Sequence, residues 1–351
     1  MKKRIALGVV LVVLGYLLAW PVPIDPVAWT APRAPGDVGP YAQNGALDHA
    51  ELLGKDVGVG PEHLAFDTHD HVVVGYRDGR VVQFDLDGKQ HKDLANTGGR
   101  PLGLIYRGDD LIVCDSSKGL LSIAPSGAIT VLATGAGGVP FQFTDAVDAA
   151  HDGTLYFTDA SDKFDVAHYK LDLMEHRARG RLLALSPGDK EPRVLLRDLQ
   201  FANGVALAPD DSYVLFAETG LFRISKYWLT GDKAGHVDVI LDDIEGFPDN
   251  LSRGSDGTFW VGLTAPRNPA FDALAPYPLA RKIVARLPEV LQPQPARAAH
   301  VLAIDGTGHI KQSYSGDGTS AAFVSGAVEH AGWLYLASLT EPQFARVPLK
   351  P

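Results

Sequence analysis

Three features of the 351-residue sequence predict an all-β fold, a six-bladed β-propeller preceded by an N-terminal transmembrane signal anchor. The first is a unit of short apolar strands and tight turns that recurs six times after residue 46. The second is a content of 37 Gly and 24 Pro, which favours many turns over long helices. The third is an uncharged apolar run near the N-terminus, whose composition differs from that of the repeats.

The first segment, residues 1–24, has the pattern of a signal anchor. Three basic residues precede an uncharged run from Ile5 to Trp20, and the next four residues extend the apolar zone. The run is short for a spanning helix of about 20 residues. No small-residue cleavage site follows it, so an uncleaved anchor is favoured over a cleaved signal peptide. The positive-inside rule then places the remaining chain on the non-cytoplasmic side, periplasmic or extracellular/lumenal.

Residues 25–45 are rich in Pro and Gly and are predicted to form a tether, and residues 46–351 form the propeller and catalytic domain. First strands of the six units begin near residues 62, 103, 145, 203, 249 and 326. Steps of roughly 40 to 50 residues match four-stranded propeller blades. Residues 46–53 are predicted to supply the outer strand that closes the ring.

Two longer steps between units contain the insertions Ser161–Arg179 and Ala265–His300. The first has the pattern of a loop with a helical turn, and the second contains a predicted helix at Leu279–Leu287. Long loops of this kind are either lids and binding loops or additional surface packing, and the sequence leaves both open.

Composition excludes several functional classes. The formal net charge is −10 and no dense Lys/Arg face is visible, so a nucleic-acid partner is not expected. The single cysteine, Cys114, lies in an apolar run and is interpreted as a buried side chain rather than a nucleophile. The sequence has no serine nucleophile elbow, no closely spaced histidine pair and no phosphate-binding loop.

Polar residues recur at equivalent entries of the first strands. These strands line the central channel of a propeller, so the side chains should converge at one mouth; they are Glu62, Asp145, Asn203, Asp249 and Asn250. Carboxylate and amide oxygens without Cys or paired His suit a hard cation, Ca²⁺ or another divalent ion. Each residue alone has a simpler explanation, such as turn chemistry for Asn203, but their shared register favours a metal site that includes Asp249.

Five segments occur in order at compatible spacing: Gly60-Pro61-Glu62, Gly99–Gly103, Phe201–Asp210, Glu218-Thr219 and Gly246–Asn250. Together they resemble the strictosidine synthase-like branch of the gluconolactonase, senescence marker protein and paraoxonase superfamily. The resemblance covers about residues 50–350 and is strongest to membrane-anchored members related to adipocyte plasma membrane-associated protein.

This resemblance implies a six-bladed propeller with a central divalent cation, usually calcium, and often lactonase or arylesterase activity. The metal ligands of the family fall on four residues of this chain: Glu62, Asn203, Asp249 and, as an additional amide, Asn250. Members commonly have Asn-Asp in the third blade, where this chain has Thr144-Asp145. Either water or Asp145 fills that position, or the site binds its metal more weakly.

The function expected from these residues is metal-assisted hydrolysis of a small-molecule lactone or of an aryl or other activated ester. Asp145, and after it Asp249, is the candidate for removing a proton from the attacking water, because a carboxylate held tightly by a cation is a poor base. Strictosidine synthesis itself is not expected, since the glutamate that it requires in the family falls near Ser325. The alternative is a non-catalytic propeller at the membrane that binds a ligand or partner, or serves in envelope assembly, with a structural cation.

Overall fold

The structure is a computed structural model that describes residues 2–349, and its strands form six four-stranded antiparallel sheets and one short hairpin. The strands in chain order are β1 (Glu51–Leu53), β2 (Leu64–Phe66), β3 (Val72–Gly75), β4 (Arg80–Phe84), β5 (His91–Asn96), β6 (Pro101–Arg107), β7 (Asp110–Asp115), β8 (Gly119–Ile123), β9 (Ile129–Ala133), β10 (Gly135–Ala136), β11 (Val139–Pro140), β12 (Thr144–Ala149), β13 (Leu155–Asp159), β14 (Gly180–Leu185), β15 (Arg193–Leu199), β16 (Ala202–Leu207), β17 (Tyr213–Glu218), β18 (Arg223–Trp228), β19 (Val237–Leu241), β20 (Pro248–Arg253), β21 (Thr258–Leu263), β22 (Ala299–Asp305), β23 (Ile310–Gly316), β24 (Ala327–His330), β25 (Trp333–Leu336) and β26 (Phe344–Pro348).

The helices are α1 (Lys2–Ala19), α2 (Tyr169–Glu175), α3 (Pro269–Leu274) and α4 (Pro278–Arg286), with 3₁₀ turns at Gly39–Tyr41, Val166–His168, Thr219–Leu221 and Glu289–Leu291. The sheets confirm the predicted six-bladed propeller. Blades one to five consist of β2–β5, β6–β9, β12–β15, β16–β19 and β20–β23, and blade six consists of β24, β25, β26 and β1.

Blade six joins the two ends of the propeller. Strand β1 pairs antiparallel with β26, from Glu51 opposite Arg346 to Leu53 opposite Phe344. Leu53 and Phe344 are buried in one core cluster with residues of blade one. The outer strand predicted within residues 46–53 is therefore present, and the ring is closed without a break between its first and last blades.

The first strands of blades two to five share one irregularity. In each, the first strand advances three residues while the second strand advances two, which is a β-bulge. The bulges lie between Pro101 and Leu104, Thr144 and Val147, Ala202 and Val205, and Pro248 and Leu251. A bulge re-aims side chains, and each one here contains the residue that the repeat places at the channel mouth.

Small residues allow neighbouring first strands to approach closely next to the bulges. A Cβ atom on Gly204 would lie 2.4 Å from the carbonyl oxygen of Asp249 and from the amide nitrogen of Leu251 in the next blade. A Cβ atom on Gly103 would lie 2.6 Å from the carbonyl oxygen of Asp145. These glycines are required by close backbone contact between blades rather than by their φ angles.

Side-chain hydroxyls of one blade donate to backbone carbonyls at the start of the first strand of the next blade. Ser325 Oγ donates to the carbonyl of Glu62 at 2.6 Å, and Thr158 Oγ1 donates to the carbonyl of Asn203 at 2.8 Å. All four residues are buried. These bonds satisfy two buried carbonyls and hold neighbouring blades in register.

Both insertions lie on the face of the propeller where the first strands begin, since each joins the end of a second strand to a third strand. The first insertion contains α2, as its pattern predicts. The second contains α3 and α4, and α4 matches the predicted helix within one residue at each end. Arg281 of α4 is buried and donates to the carbonyl of Met174 in α2 at 2.7 Å, so the two insertions form one cover.

The predicted tether is packed along this cover. We call residues 21–50 the strap. Ile24 is buried in an apolar cluster with residues of α2, and the amide of Asp25 donates to Glu175 Oε2 at 2.8 Å. Trp29 stacks on His176 with a ring-centroid distance of 3.7 Å. The strap therefore follows the insertions across the mouth of the propeller.

Helix α1 extends from the strap with none of its residues buried. Its C-terminal end contacts α4, where Tyr16 donates to the carbonyl of Arg286 at 3.0 Å. Among residues 2–349 no helix is sufficiently long and apolar to cross a membrane, and α1 is 18 residues long and begins with three cations. The predicted transmembrane anchor over residues 1–24 is therefore not supported.

The close contact at Gly204 predicts the effect of a single methyl group. Gly204→Ala should lower the free energy of unfolding by about 1–3 kcal/mol, because the added Cβ overlaps backbone atoms that cannot move without displacing blade five. Thermal and denaturant unfolding measure the change. The matched control is Gly15→Ala in α1, where no atom lies within 4 Å of the added Cβ. Equal stability of the two variants would contradict the packing of the first strands.

Candidate metal centre

The structure brings the sequence-predicted residues together at the start of the first strands. Glu62, Asp145 and Asp249 each contribute an oxygen, and these oxygens lie within 4.8 Å of one another. Asn203 and Asn250 adjoin them, and all five side chains are at most 5% exposed. Three carboxyl groups and two amides from blades one, three, four and five therefore share one buried point.

Several oxygens of this cluster have no hydrogen-bond partner. Within the described residues these are Glu62 Oε2, Asn203 Oδ1 and Asn250 Oδ1, all of them buried. A buried acceptor without a donor costs about 1–3 kcal/mol, so such groups are rare in native proteins unless a ligand satisfies them. Their concentration at one point, with carboxylates beside them, fits the oxygen set that a hard divalent cation requires.

The nitrogen atoms of the two amides orient the carboxylates. Asn250 Nδ2 donates to Glu62 Oε1 at 2.6 Å, and Asn203 donates a side-chain hydrogen bond to Asp249. Each amide thus holds one carboxylate with its nitrogen and leaves its own oxygen unpartnered. No described residue donates a hydrogen bond to the carboxylate of Asp145, and the charge of Arg100 instead favours its ionised form.

Burial and mutual repulsion disfavour ionisation of these groups. Burial raises the pKa of Glu62 to about 7, against the opposing effects of Arg100 and of the Asn250 hydrogen bond. Burial, followed by the charges of Glu62 and Asp249, raises the pKa of Asp145 well above its ordinary value. Burial and the charge of Glu62 do the same for Asp249. A cation bound among them would reverse this effect, because it favours the ionised form of every carboxyl group.

Thr144 and Asp145 divide the roles that the sequence left open in the third blade. Thr144 Oγ1 donates to the carbonyl of Asp115 at 2.6 Å, so the hydroxyl is used in holding blade three against blade two. Asp145 belongs to the three-carboxylate cluster. The sequence left open whether water or Asp145 fills this position, and the position of its carboxylate in the cluster makes Asp145 a candidate ligand.

We call the place in each blade that corresponds to Glu62, Asp145, Asn203 and Asp249 its ring position. The ring positions of blades two and six carry no carboxylate. Leu102 occupies the bulge of blade two, and Ser325 occupies the position in blade six that precedes β24. Ser325 is fully buried and uses its hydroxyl on the carbonyl of Glu62.

Carboxylates at the ends of second strands position the loops that lead into the site. Asp159 Oδ1 accepts from the amide of Phe143 at 2.9 Å, and Glu218 Oε1 accepts from the amide of Gln200 at 3.2 Å. Asp159 is itself paired with buried Arg181. Each loop is thus fixed two or three residues before the ring residue of its blade.

Aromatic residues precede the ring positions of four blades by two residues, and sequence reasoning did not identify them: Phe143, Phe201, Phe247 and Phe323. Phe201 and Phe323 have φ angles of 56° and 50°, a strained conformation for a bulky side chain that persists only where surrounding contacts impose it. The repeat itself contains this pattern, because a phenylalanine stands two residues before the ring position in each of these four blades.

Helix α2 lies over the mouth of the site. Its residues Tyr169 and Leu173 pack on Leu102, Phe143 and Phe201 in one apolar cluster. This contact excludes water from the carboxylates and favours a lid or binding loop over unrelated surface packing for the first insertion.

Arg100 is a further residue of the site that sequence reasoning did not identify. The side chain is buried, and Nη1 donates to the carbonyl of Gly60 at 2.8 Å. Its charge acts on both Glu62 and Asp145. His63, next to Glu62, is buried and accepts from the amide of Leu104 at 3.2 Å; burial lowers the pKa of His63 to about 4, so this histidine is a neutral core residue.

Comparisons with known proteins connect this chain to one group of sequences. Residues 145–232 match the family model for strictosidine synthase, and residues 39–84 match that for the N-terminal part of strictosidine synthase-like proteins. Strictosidine synthase-like 6 of Arabidopsis thaliana is 35% identical over 320 residues, 89% of this chain and 85% of that protein. Adipocyte plasma membrane-associated protein of Salmo salar is 34% identical over 377 residues, 97% of this chain and 90% of that protein.

Solved structures share the fold at low sequence identity. A gluconolactonase of Xanthomonas campestris superposes with a TM-score of 0.62 at 17% identity, covering 94% of this chain and 97% of its own. Regucalcin of Agrobacterium tumefaciens, a calcium-binding protein, superposes with a TM-score of 0.57 at 13% identity, covering 85% and 93%. At these identities the likeness establishes the propeller fold alone.

The raised pKa values predict an unusual pH dependence of stability without metal. The contribution of Glu62 to the free energy of unfolding is fully present below about pH 4.5 and is lost as the pH rises through about 7, where the buried carboxyl group must ionise. The metal-free protein should therefore lose stability over this range, on the order of a few kcal/mol, since a tenfold change in a protonation equilibrium corresponds to about 1.4 kcal/mol. Thermal unfolding at a series of pH values, with chelator and with Ca²⁺, measures it.

Calcium should remove this loss, and Glu62→Gln should reduce it because the substituted side chain does not ionise. If the metal-free protein is as stable at pH 8 as at pH 5, this result would contradict the burial of three carboxyl groups at one point.

Proposed function

Because the chain belongs to the strictosidine synthase-like family, we propose that it is a metal-dependent hydrolase of lactones or of aryl and other activated esters. The observation that carries this proposal is the convergence of three buried carboxyl groups and two amides whose free oxygens have no partner in the protein. Fold neighbours that are a gluconolactonase and a calcium-binding protein support lactone chemistry and calcium.

The residues that would hold the cation are Glu62, Asn203, Asp249 and Asn250, with Asp145 as a further candidate. Their oxygens form an irregular set, which Ca²⁺ tolerates better than Mg²⁺ does. A bound divalent cation supplies polarisation of the ester carbonyl and stabilisation of the negative charge that develops on its oxygen.

Asp145 is the proposed general base. It accepts no hydrogen bond from the described residues, and burial and its acidic neighbours raise its pKa. Its oxygens are therefore free to accept a proton from a water molecule when the other ligands hold the cation. Asp249 ranks second, because the Asn203 hydrogen bond stabilises its ionised form.

The protein groups above the carboxylates would position the substrate. Leu102, Phe143 and Phe201 form an apolar surface beneath α2, next to the cluster. Burial raises the pKa of Tyr169 of α2, and the charge of Asp249 acts in the same direction, so this phenol lies near the cluster. An apolar part of the ester would pack on this surface while its carbonyl faces the carboxylate side, and the closed cover would exclude other water.

Substitution of the two aspartates should separate cation binding from chemistry. Asp249→Ala should abolish calcium binding, because it removes a carboxylate from the cluster and leaves Asn203 without its acceptor. Asp145→Asn should keep detectable calcium binding but lower kcat by about 10²–10⁴, the usual contribution of a general base. Calorimetry measures binding, and hydrolysis of a panel of lactones and aryl esters measures turnover.

The control for both variants is Asp232→Asn, which changes an exposed acid in the turn between β18 and β19. Turnover that survives complete removal of metal would refute the metal mechanism, and unchanged calcium affinity in Asp249→Ala would refute the site assignment. Calcium binding without turnover on any substrate of the panel would favour the alternative, a ligand- or partner-binding propeller with a structural cation.

We further propose that the chain associates with a membrane through α1. This helix has no buried residue and presents a continuous apolar surface behind three cations. The relative from Salmo salar is named for association with the plasma membrane. The location of the propeller on the non-cytoplasmic side remains a prediction from the positive-inside rule.

Charged residues within α1 should reduce this association. The full chain should co-sediment with phospholipid vesicles, and Val9→Asp with Val12→Asp should release it, because two carboxylates on an apolar helix oppose entry into lipid. The control is Val131→Asp on the exposed outer strand β9. Equal co-sedimentation of all three proteins would show that α1 is not the membrane-binding element.

A further inference from the structure

Arg100, which lies outside the ligand set, contributes a positive charge to the candidate metal centre. A bound cation requires ionised ligands, so Glu62, Asp145 and Asp249 together contribute three negative charges. Arg100 is the buried cation whose charge acts on this cluster. The sum of these four groups is −2.

The fold holds Arg100 in place from two sides. Its Nη1 donates to the carbonyl of Gly60, two residues before Glu62, and its own carbonyl accepts from the amide of Ser116 at 2.9 Å. A Cβ atom on Gly60 would lie 2.9 Å from Arg100 Nη2, so the guanidinium fills a space that only glycine leaves open. The side chain is therefore a fixed charge at the boundary of blades one and two.

Blade two contributes this charge in place of a ligand. Its ring position is Leu102, which offers no oxygen, and Arg100 precedes it by two residues. The corresponding residues of blades three to six are phenylalanines. Arg100 is the one cation at this register, and burial lowers its pKa only to about 10, so it remains protonated at neutral pH.

The charge balance has consequences for cation and substrate alike. A divalent ion brings the sum of the charges to zero. A trivalent ion leaves a net positive charge. In a site without Arg100, a divalent ion leaves a net negative charge. An electroneutral loaded site can accept the negative charge that develops on an ester oxygen. A negative site opposes it, and a low effective dielectric enlarges both effects.

We infer that Arg100 is a positioning residue that sets the net charge of this centre at −2, weakening its hold on the cation while allowing the loaded site to accept negative charge from the substrate. This inference rests on the proposed cation site. It predicts that removal of Arg100 changes cation affinity and turnover in opposite directions, which loss of a merely structural side chain would not do.

The test is Arg100→Gln, compared with the wild-type chain by calcium calorimetry and terbium luminescence. Calcium affinity should rise by at least about tenfold, because one repelling charge is removed near a divalent ion. Terbium affinity should rise by a larger factor, since the trivalent ion is repelled more strongly. Turnover of any ester that the wild-type hydrolyses should fall, with the loss in kcat rather than in KM.

Two matched variants separate charge from structure. Arg100→Lys keeps the positive charge and should keep the wild-type ratio of terbium to calcium affinity. Arg77→Gln removes an exposed arginine from a loop on the same face and should leave that ratio unchanged. The fold of each variant is checked by thermal unfolding and circular dichroism.

A charge-restoring pair keeps the test decisive if Arg100→Gln alone does not fold. Asp145→Asn changes the net charge of these groups from −2 to −1, and the double variant Arg100→Gln with Asp145→Asn returns it to −2. The double variant should therefore bind calcium at least about tenfold more tightly than Asp145→Asn.

The outcomes distinguish the two proposals. No calcium or terbium binding by the wild-type chain would overturn the proposed metal site and this inference with it. Wild-type binding with unchanged or weaker calcium affinity in Arg100→Gln, or with no gain in the double variant over Asp145→Asn, would overturn the role of Arg100 alone.

Discussion

The arrangement of the propeller mouth depends on one constraint, which is the burial of three carboxyl groups at one point. Glu62, Asp145 and Asp249 come from different blades, so no local contact offsets their repulsion. The protein supplies two amide donors and one buried guanidinium, and it leaves three acceptor oxygens unpartnered. This compensation is incomplete. The site lacks a positive charge that several of its oxygens can coordinate, and a divalent cation provides one.

The precision of this arrangement comes from contact between neighbouring backbones. The four bulges have the same register, so each first strand turns a corresponding residue toward the axis. Gly103 and Gly204 allow adjacent strands to touch, and buried hydroxyls such as Ser325 Oγ bond one strand to the next. Ligand positions are therefore determined by the ring as a whole, and a change in one blade is transmitted to the next.

The cover above the mouth determines how strongly these charges are felt. Helix α2 packs on apolar residues beside the cluster, and Arg281 and Glu175 join it to α4 and to the strap. Exclusion of water lowers the effective dielectric, which increases the repulsion among the carboxylates and the value of any cation that neutralises them. The same packing requires that a substrate reach the site beneath α2 or displace it.

The sequence by itself determined the number of blades, the closure by residues 46–53 and the positions of Glu62, Asp145, Asn203, Asp249 and Asn250, because all of these follow from a repeat with a constant register. It predicted that Asp145 enters the channel but left its role open, and it could not show that Thr144 is used in a contact between blades or that Arg100 is buried next to the segment of Glu62. These features depend on contacts between side chains of different blades across the channel. The spacing of the repeat does not specify such contacts. The strap was likewise interpreted as a tether, since a Pro-rich segment has no pattern that reveals which surface it covers. Local periodicity thus fixes strands and register, whereas charge balance at the site is decided only when the ring closes.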